Sequence, residues 1–195
     1  RKMSKKILII EDDQFLGDVL LHKIEHGGYE AELAVDGKVG LGRIGEYMPD
    51  LILLDIMLPS MSGYEILEAK VKDPKIKDIP VIVISNSGQP VEINRALALG
   101  VKDYLIKAQF DPEEVMVKVR DQLERRLLEA ATRGDLNISE TMAVMAMVNC
   151  EASKLEGKVQ AGSTNISDVL ALMTKVDYTL QENDTKMKDK FKNTS

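Results

Sequence analysis

Four places far apart in the chain end an aliphatic run in a reactive side chain. Ile7-Leu8-Ile9-Ile10 leads into Glu11-Asp12-Asp13, Leu51-Ile52-Leu53-Leu54 into Asp55, Val81-Ile82-Val83-Ile84 into Ser85, and Tyr104-Leu105-Ile106 into Lys107. Runs that are apolar throughout suit strands buried on both faces, and in open α/β sheets the reactive crevice lies at the carboxyl ends of the strands. Any one of these acids alone reads equally well as a helix N-cap, but capping does not account for all four strand ends together. Converging carboxylates repel one another and need a cation. An all-oxygen set suits Mg²⁺, which takes a few carboxylates and keeps several waters. Such a cation lets a further anion, such as a phosphoryl group, approach. Lys107 adds a positive charge for that anion and Ser85 a hydroxyl donor. Asp55 can then act as a nucleophile and form an acyl phosphate. In-line phosphoryl transfer asks mostly for positioning and charge neutralisation, which this set supplies.

The elements that must hold these groups are legible between the runs. Phe15, Leu16, Val19, Leu20 and Ile24 mark one helical face that Gly27-Gly28 ends. Shorter helical periods cover 38–47, 64–72 and 91–99, and a weaker strand runs from Glu30 to Val35. Asp111-Pro112-Glu113-Glu114 opens the last helix with an N-cap, a first-turn proline and acids that favour the helix dipole. Five strands alternating with five helices predict a doubly wound α/β domain with a five-stranded parallel sheet.

Composition changes near residue 134. All six prolines lie at or before Pro112 and all seven arginines at or before Arg133, while five of the ten methionines follow Gly134. The last domain helix reads on through Leu123, Leu127 and Ala130 to about Thr132. Beyond it, Met145, Val148, Ala152, Leu155 and Val159, then Ile166, Val169, Met173, Val176, Leu180, Asn183 and Met187, recur at alternating steps of three and four. Those are seams of a coiled coil or helical hairpin. The expected division is 3–126 for the α/β domain and 127–195 for a helical module continuing from its last helix. Arg1 and Lys2 precede a natural-looking start at Met3 and are given no role.

The 195 residues carry a net charge of −6, with 44% hydrophobic and 30% charged residues. That balance disfavours a nucleic-acid-binding surface. The tail's seven lysines face nine acids and no arginine, which disfavours a DNA-reading output. No apolar run approaches a membrane span, no signal peptide is evident, and the single cysteine, Cys150, fits a reducing, cytoplasmic setting. His22 and His26 are four apart on a helix, a spacing that can bind zinc, but no third ligand accompanies them and solvent-facing residues are the expectation. Without a histidine the tail is no His phosphotransfer module.

The strand-end set and its flanks resemble the receiver domain of two-component response regulators over roughly residues 5 to 126. The residues that carry the resemblance are Ile7–Asp13, Asp55-Ile56-Met57-Leu58-Pro59-Ser60-Met61-Ser62-Gly63, Ser85-Asn86, and Gly100-Val101-Lys102-Asp103-Tyr104-Leu105-Ile106-Lys107. The resemblance implies a flavodoxin-like sheet and that Asp55 is the phosphoacceptor. Glu11, Asp12, Asp55 and the Met57 backbone carbonyl would be the protein side of a Mg²⁺ site. Ser85 and Lys107 would hold the phosphoryl oxygens, and Ser85 and Tyr104 would form the switch. The implied partner is a histidine kinase or phosphotransfer protein. Asp13 follows the acid-pocket positions and is expected to be a loop or cap residue. The family usually has proline after the strand-five lysine and a small apolar residue after the hydroxyl, where this chain has Ala108 and Asn86. A trans Lys107–Ala108 bond is therefore expected.

These features favour a phosphorylation-controlled signalling switch with a helical output or oligomerisation tail, through which the chain would self-associate. An aspartyl-phosphate hydrolase is disfavoured, because such enzymes place a second acid two residues after the nucleophile and Met57 stands there. The expected chemistry is confined to the chain's own phosphorylation and dephosphorylation. The alternative is a receiver joined to a structural or partner-binding bundle with no regulated output.

Overall fold

Residues 7–10, 51–54 and 81–84 are aliphatic throughout because neither face of their strands meets water; their exposures lie between 0% and 2%. In the computed structural model, which describes residues 4–109, 112–134, 136, 140–144, 146 and 147, they form β1 (Lys6–Ile10), β3 (Leu51–Leu54) and β4 (Val81–Ser85). The weaker run is β2 (Glu30–Ala34), and β5 (Asp103–Ile106) completes a wholly parallel sheet of order β2-β1-β3-β4-β5. β2 is an edge strand whose first four residues retain access to water, so its sequence, Glu-Ala-Glu-Leu-Ala, need not be apolar throughout.

Side chains alternate between two cores, one on each face. Leu8, Ile10, Ile52, Leu54, Val81 and Val83 pack with Ile44 of α2 (Gly37–Tyr47), Tyr64, Ile66 and Leu67 of α3 (Gly63–Lys72) and Ala96 of α4 (Pro90–Ala98). Ile7, Ile9, Leu51, Leu53, Ile82, Ile84 and Leu105 pack with Leu20 and Ile24 of α1 (Gln14–His26) and Val115, Val119 and Leu123 of α5 (Pro112–Arg133). This is the doubly wound fold the alternation predicted, with the strand order reversing between β1 and β3.

Local signals set the helix bounds. Asp13 accepts a hydrogen bond from Leu16 N and N-caps α1, as expected of it. Gly28, at φ +85°, turns the chain after that helix in a conformation glycine adopts without strain. Ser62 and Glu65 form a reciprocal capping box, so α3 begins at Gly63, one residue before its first apolar position. The Asp111 cap and the tail seam residues from Met145 to Met187 lie outside the described residues. The described chain divides into two units between Leu123 and Glu124. Among the described residues, no helix is long and apolar enough to cross a membrane.

Candidate functional site

Parallel register places the reactive residues together. Ile10 of β1 lies beside Leu54 of β3, and Asp55 N donates to Ile10 O at 2.9 Å, so Glu11 and Asp55 leave adjacent strands at the same level. β4 and β5 pair through Ser85 and Ile106, and Lys107 N donates to Ser85 O at 2.8 Å. All four strand ends therefore open on one edge of the sheet, at and beside its switch point.

Glu11, Asp12 and Asp55 offer carboxylate oxygens within 4.8 Å of one another. Glu11 and Asp55 are only 1% and 3% exposed, whereas Asp12 faces solvent. The Lys107 ammonium bridges the two buried acids, 2.7 Å from Glu11 Oε1 and 2.6 Å from Asp55 Oδ2. Met57 N donates to Asp55 Oδ1 at 3.0 Å, and Asp13 N donates to Glu11 Oε1 at 3.2 Å. Burial pushes the Glu11 carboxyl above its usual range; Lys107 opposes this, and the Asp55 charge adds to it. Burial also works against the Lys107 ammonium, but its hydrogen bonds to Asp55 and Glu11 outweigh that and hold it above its ordinary value.

This donor set fits a hard divalent cation. It is built of oxygens, it gathers three acids against one ammonium, and burial makes Glu11 costly to ionise without further positive charge. Among the described residues no other group of three or more His, Cys, Asp or Glu is arranged this way. Glu11, Asp12 and Asp55 are the groups that could hold Mg²⁺. His22 and His26 lie elsewhere, on the solvent side of α1, each with its ring Nδ1 on the backbone carbonyl four residues earlier.

Ser85 ends β4 at the same edge. It is 1% exposed, and its Oγ accepts from Ser87 N at 3.3 Å. Tyr104 is half-buried, and its hydroxyl donates to Ser87 O at 2.8 Å. Both switch candidates thus meet at Ser87, a residue with no signature of that role in the sequence. The Lys107–Ala108 peptide is trans, like every other described bond.

The response regulator receiver domain matches residues 7–120, and the chain belongs to that family. Over 133 residues it is 36% identical to the DNA-binding dual master transcriptional regulator RpaA of Synechocystis sp., covering 67% of this chain and 55% of that protein. The chain thus spans about half the length of the curated relatives it matches. RpaA's name carries DNA binding, so the expectation that this chain binds no nucleic acid gains no support from the comparison. A CheY-like response regulator receiver domain protein from Methanospirillum hungatei is 30% identical, with a TM-score of 0.58, covering 63% of this chain and 95% of that one. The structure titled as the BeF3-activated DrrB receiver domain is 27% identical, with a TM-score of 0.55 and coverages of 63% and 99%.

Proposed function

We propose that Asp55 takes a phosphoryl group from the phosphohistidine of a partner kinase or phosphotransfer protein and that the chain is a phosphorylation-controlled switch. The observation that carries this is the buried Asp55 carboxylate, held from one side by Met57 N and from the other by an ammonium it shares with Glu11. One Asp55 oxygen attacks phosphorus. A P–O bond forms, the P–N bond to the donor imidazole breaks, and the imidazole leaves with the electron pair. Glu11, Asp12, Asp55 and the Met57 carbonyl would hold Mg²⁺, which would supply positive charge against the phosphoryl oxygens. Lys107 and Ser85 bind the phosphoryl oxygens, and water later returns Asp55 to the carboxylate. Ser85 and Tyr104 are the switch, because each already bonds to Ser87 and the loop that follows β4.

In this reading 3–126 is the receiver, and 127–195 is a helical module that serves output or self-association in the cytoplasm. The test is labelling by a small phosphodonor such as acetyl phosphate with Mg²⁺. Wild type should form a hydroxylamine-sensitive adduct that Asp55→Asn does not; equal labelling of the variant would overturn the assignment.

A further inference from the structure

α4 is weakly anchored by its own apolar side chains. It buries only the small Ala96 and leaves Val91 and Leu97 exposed, whereas α1 buries Leu20 and Ile24 and α3 buries Tyr64, Ile66 and Leu67. Its N-cap residue, Gln89, makes no side-chain capping bond. What holds its first turns comes from outside. Tyr64, the second residue of α3, is 8% exposed, with its ring in the core and its hydroxyl donating to Glu92 O at 3.0 Å. The Arg95 guanidinium stacks on the same ring, 4.0 Å from its centroid, and its Nη2 donates to Glu68 Oε1 at 3.1 Å.

We propose that Tyr64, backed by Arg95 and Glu68, is a positioning residue that latches α4 in the arrangement seen here and so sets how far phosphorylation of Asp55 shifts α4. This rests on the phosphoacceptor reading above. A phosphoryl oxygen on Asp55 offers the Ser85 hydroxyl a new acceptor, and drawing Oγ toward it shifts the bond it accepts from Ser87 N and with it the loop that Tyr104 also holds. α4 follows that loop directly, because Pro90 begins it.

Tyr64 does not travel with the loop. It stands on the N-terminus of α3, which is fixed by the Ser62–Glu65 capping box and set so close to Asp55 that a Cβ on Gly63 would lie 2.3 Å from Asp55 O. The bond from Tyr64 to Glu92 therefore spans a fixed element and a movable one, and displacing α4 breaks it. An interaction made in only one of two arrangements biases the equilibrium between them by its own free energy. The Glu92 carbonyl has a second lone pair beyond its helical bond, so the latch opens without leaving that acceptor unsatisfied.

The experiment uses the full chain, with beryllofluoride and Mg²⁺ as the phosphoryl probe and the amide resonances of 86–98 as readout. Tyr64→Phe keeps the ring and the arginine stack. It should move those resonances part of the way toward their beryllofluoride-bound positions. It should also tighten beryllofluoride binding about two- to tenfold, the effect of losing one neutral hydrogen bond from one state only. Arg95→Ala should act in the same direction, and the double variant should be less than additive. Unchanged resonances and unchanged beryllofluoride affinity in Tyr64→Phe overturn the latch, and so does a loss of thermal stability with no change in affinity. Failure of the phosphoacceptor reading has a different signature: wild type does not bind beryllofluoride, or Asp55→Asn binds it equally well. Either result removes the latch along with the reading it rests on.

Discussion

The Lys107 ammonium lies 2.6 Å from Asp55 Oδ2, and the pair is nearly closed to water, with side-chain exposures of 11% and 3%. The same ammonium reaches Glu11, so one positive charge serves two buried negative ones. The pair is therefore under-neutralised from within the chain. That deficit links the structure to the proposed chemistry: the positive charge the pocket still requires is what a divalent cation brings.

Asp12 is the member of the acid set that faces solvent, so its removal leaves the buried pair and the fold intact while taking one ligand from the cation. Asp12→Ala should weaken Mg²⁺ binding about tenfold or more and leave the free energy of urea unfolding in chelator within about 0.5 kcal/mol of wild type. Calorimetric titration with Mg²⁺ checks the first expectation. Undiminished affinity would make Asp12 a surface acid only.

Glu11 makes stability depend on pH. Burial holds its carboxyl above the unfolded-chain value, so between those two values the folded chain binds the proton more tightly. Stability therefore falls as pH rises through that window, and the penalty is fully present above it. With divalent ions chelated, Glu11→Gln should flatten this part of the curve, because the amide does not ionise. Urea unfolding of both proteins from below the ordinary carboxylate range to neutrality checks it; parallel curves would contradict it.

Much of this was open to sequence reasoning, for physical reasons that differ by element. β1, β3 and β4 are buried on both faces and so are written as unbroken aliphatic runs, and the acids after them follow from where a parallel sheet ends. The bond network was not legible. That Lys107 bridges Glu11 and Asp55 depends on side-chain reach across 96 and 52 residues of sequence. The hydrogen bond from Tyr64 to Glu92 likewise joins two helices through a backbone carbonyl, which carries no side-chain signature. The start of α3 at Gly63 was readable only through the reciprocal Ser62 and Glu65 pair and not from apolar periodicity.

Gly63 and Gly42 should respond oppositely to alanine. A Cβ at Gly63 would meet Asp55 O at 2.3 Å and the Ile56 Cα at 2.8 Å, both backbone atoms with little freedom to retreat. Gly63→Ala should cost about 1–3 kcal/mol and slow phosphodonor labelling, because the backbone that must yield carries the nucleophile. Gly42, inside α2, has nothing within 4 Å of its would-be Cβ, so Gly42→Ala should stabilise by about 0.5–1 kcal/mol and leave labelling unchanged. Denaturant midpoints and labelling rates for both variants test the contrast.

Lys107→Ala separates the structural and the chemical duties of the ammonium. Its removal leaves two nearly buried carboxylates facing each other without their shared partner, and breaking a buried pair in this way costs about 3–5 kcal/mol. In chelator the variant should therefore lose stability by an amount of that order. Mg²⁺ should restore more stability to the variant than it adds to wild type, since the cation then meets the full negative charge of the acids without a competing ammonium. Tighter Mg²⁺ binding should nevertheless accompany a weaker response to phosphorylation, because the phosphoryl oxygens lose the positive charge that reports them to β5. Parallel measurement of Mg²⁺ affinity and of the beryllofluoride-induced shifts at 86–98 decides the matter. Weaker Mg²⁺ binding in Lys107→Ala would show that the ammonium orders the acids for the cation. A full set of shifts would show that the signal leaves the site through Ser85 alone.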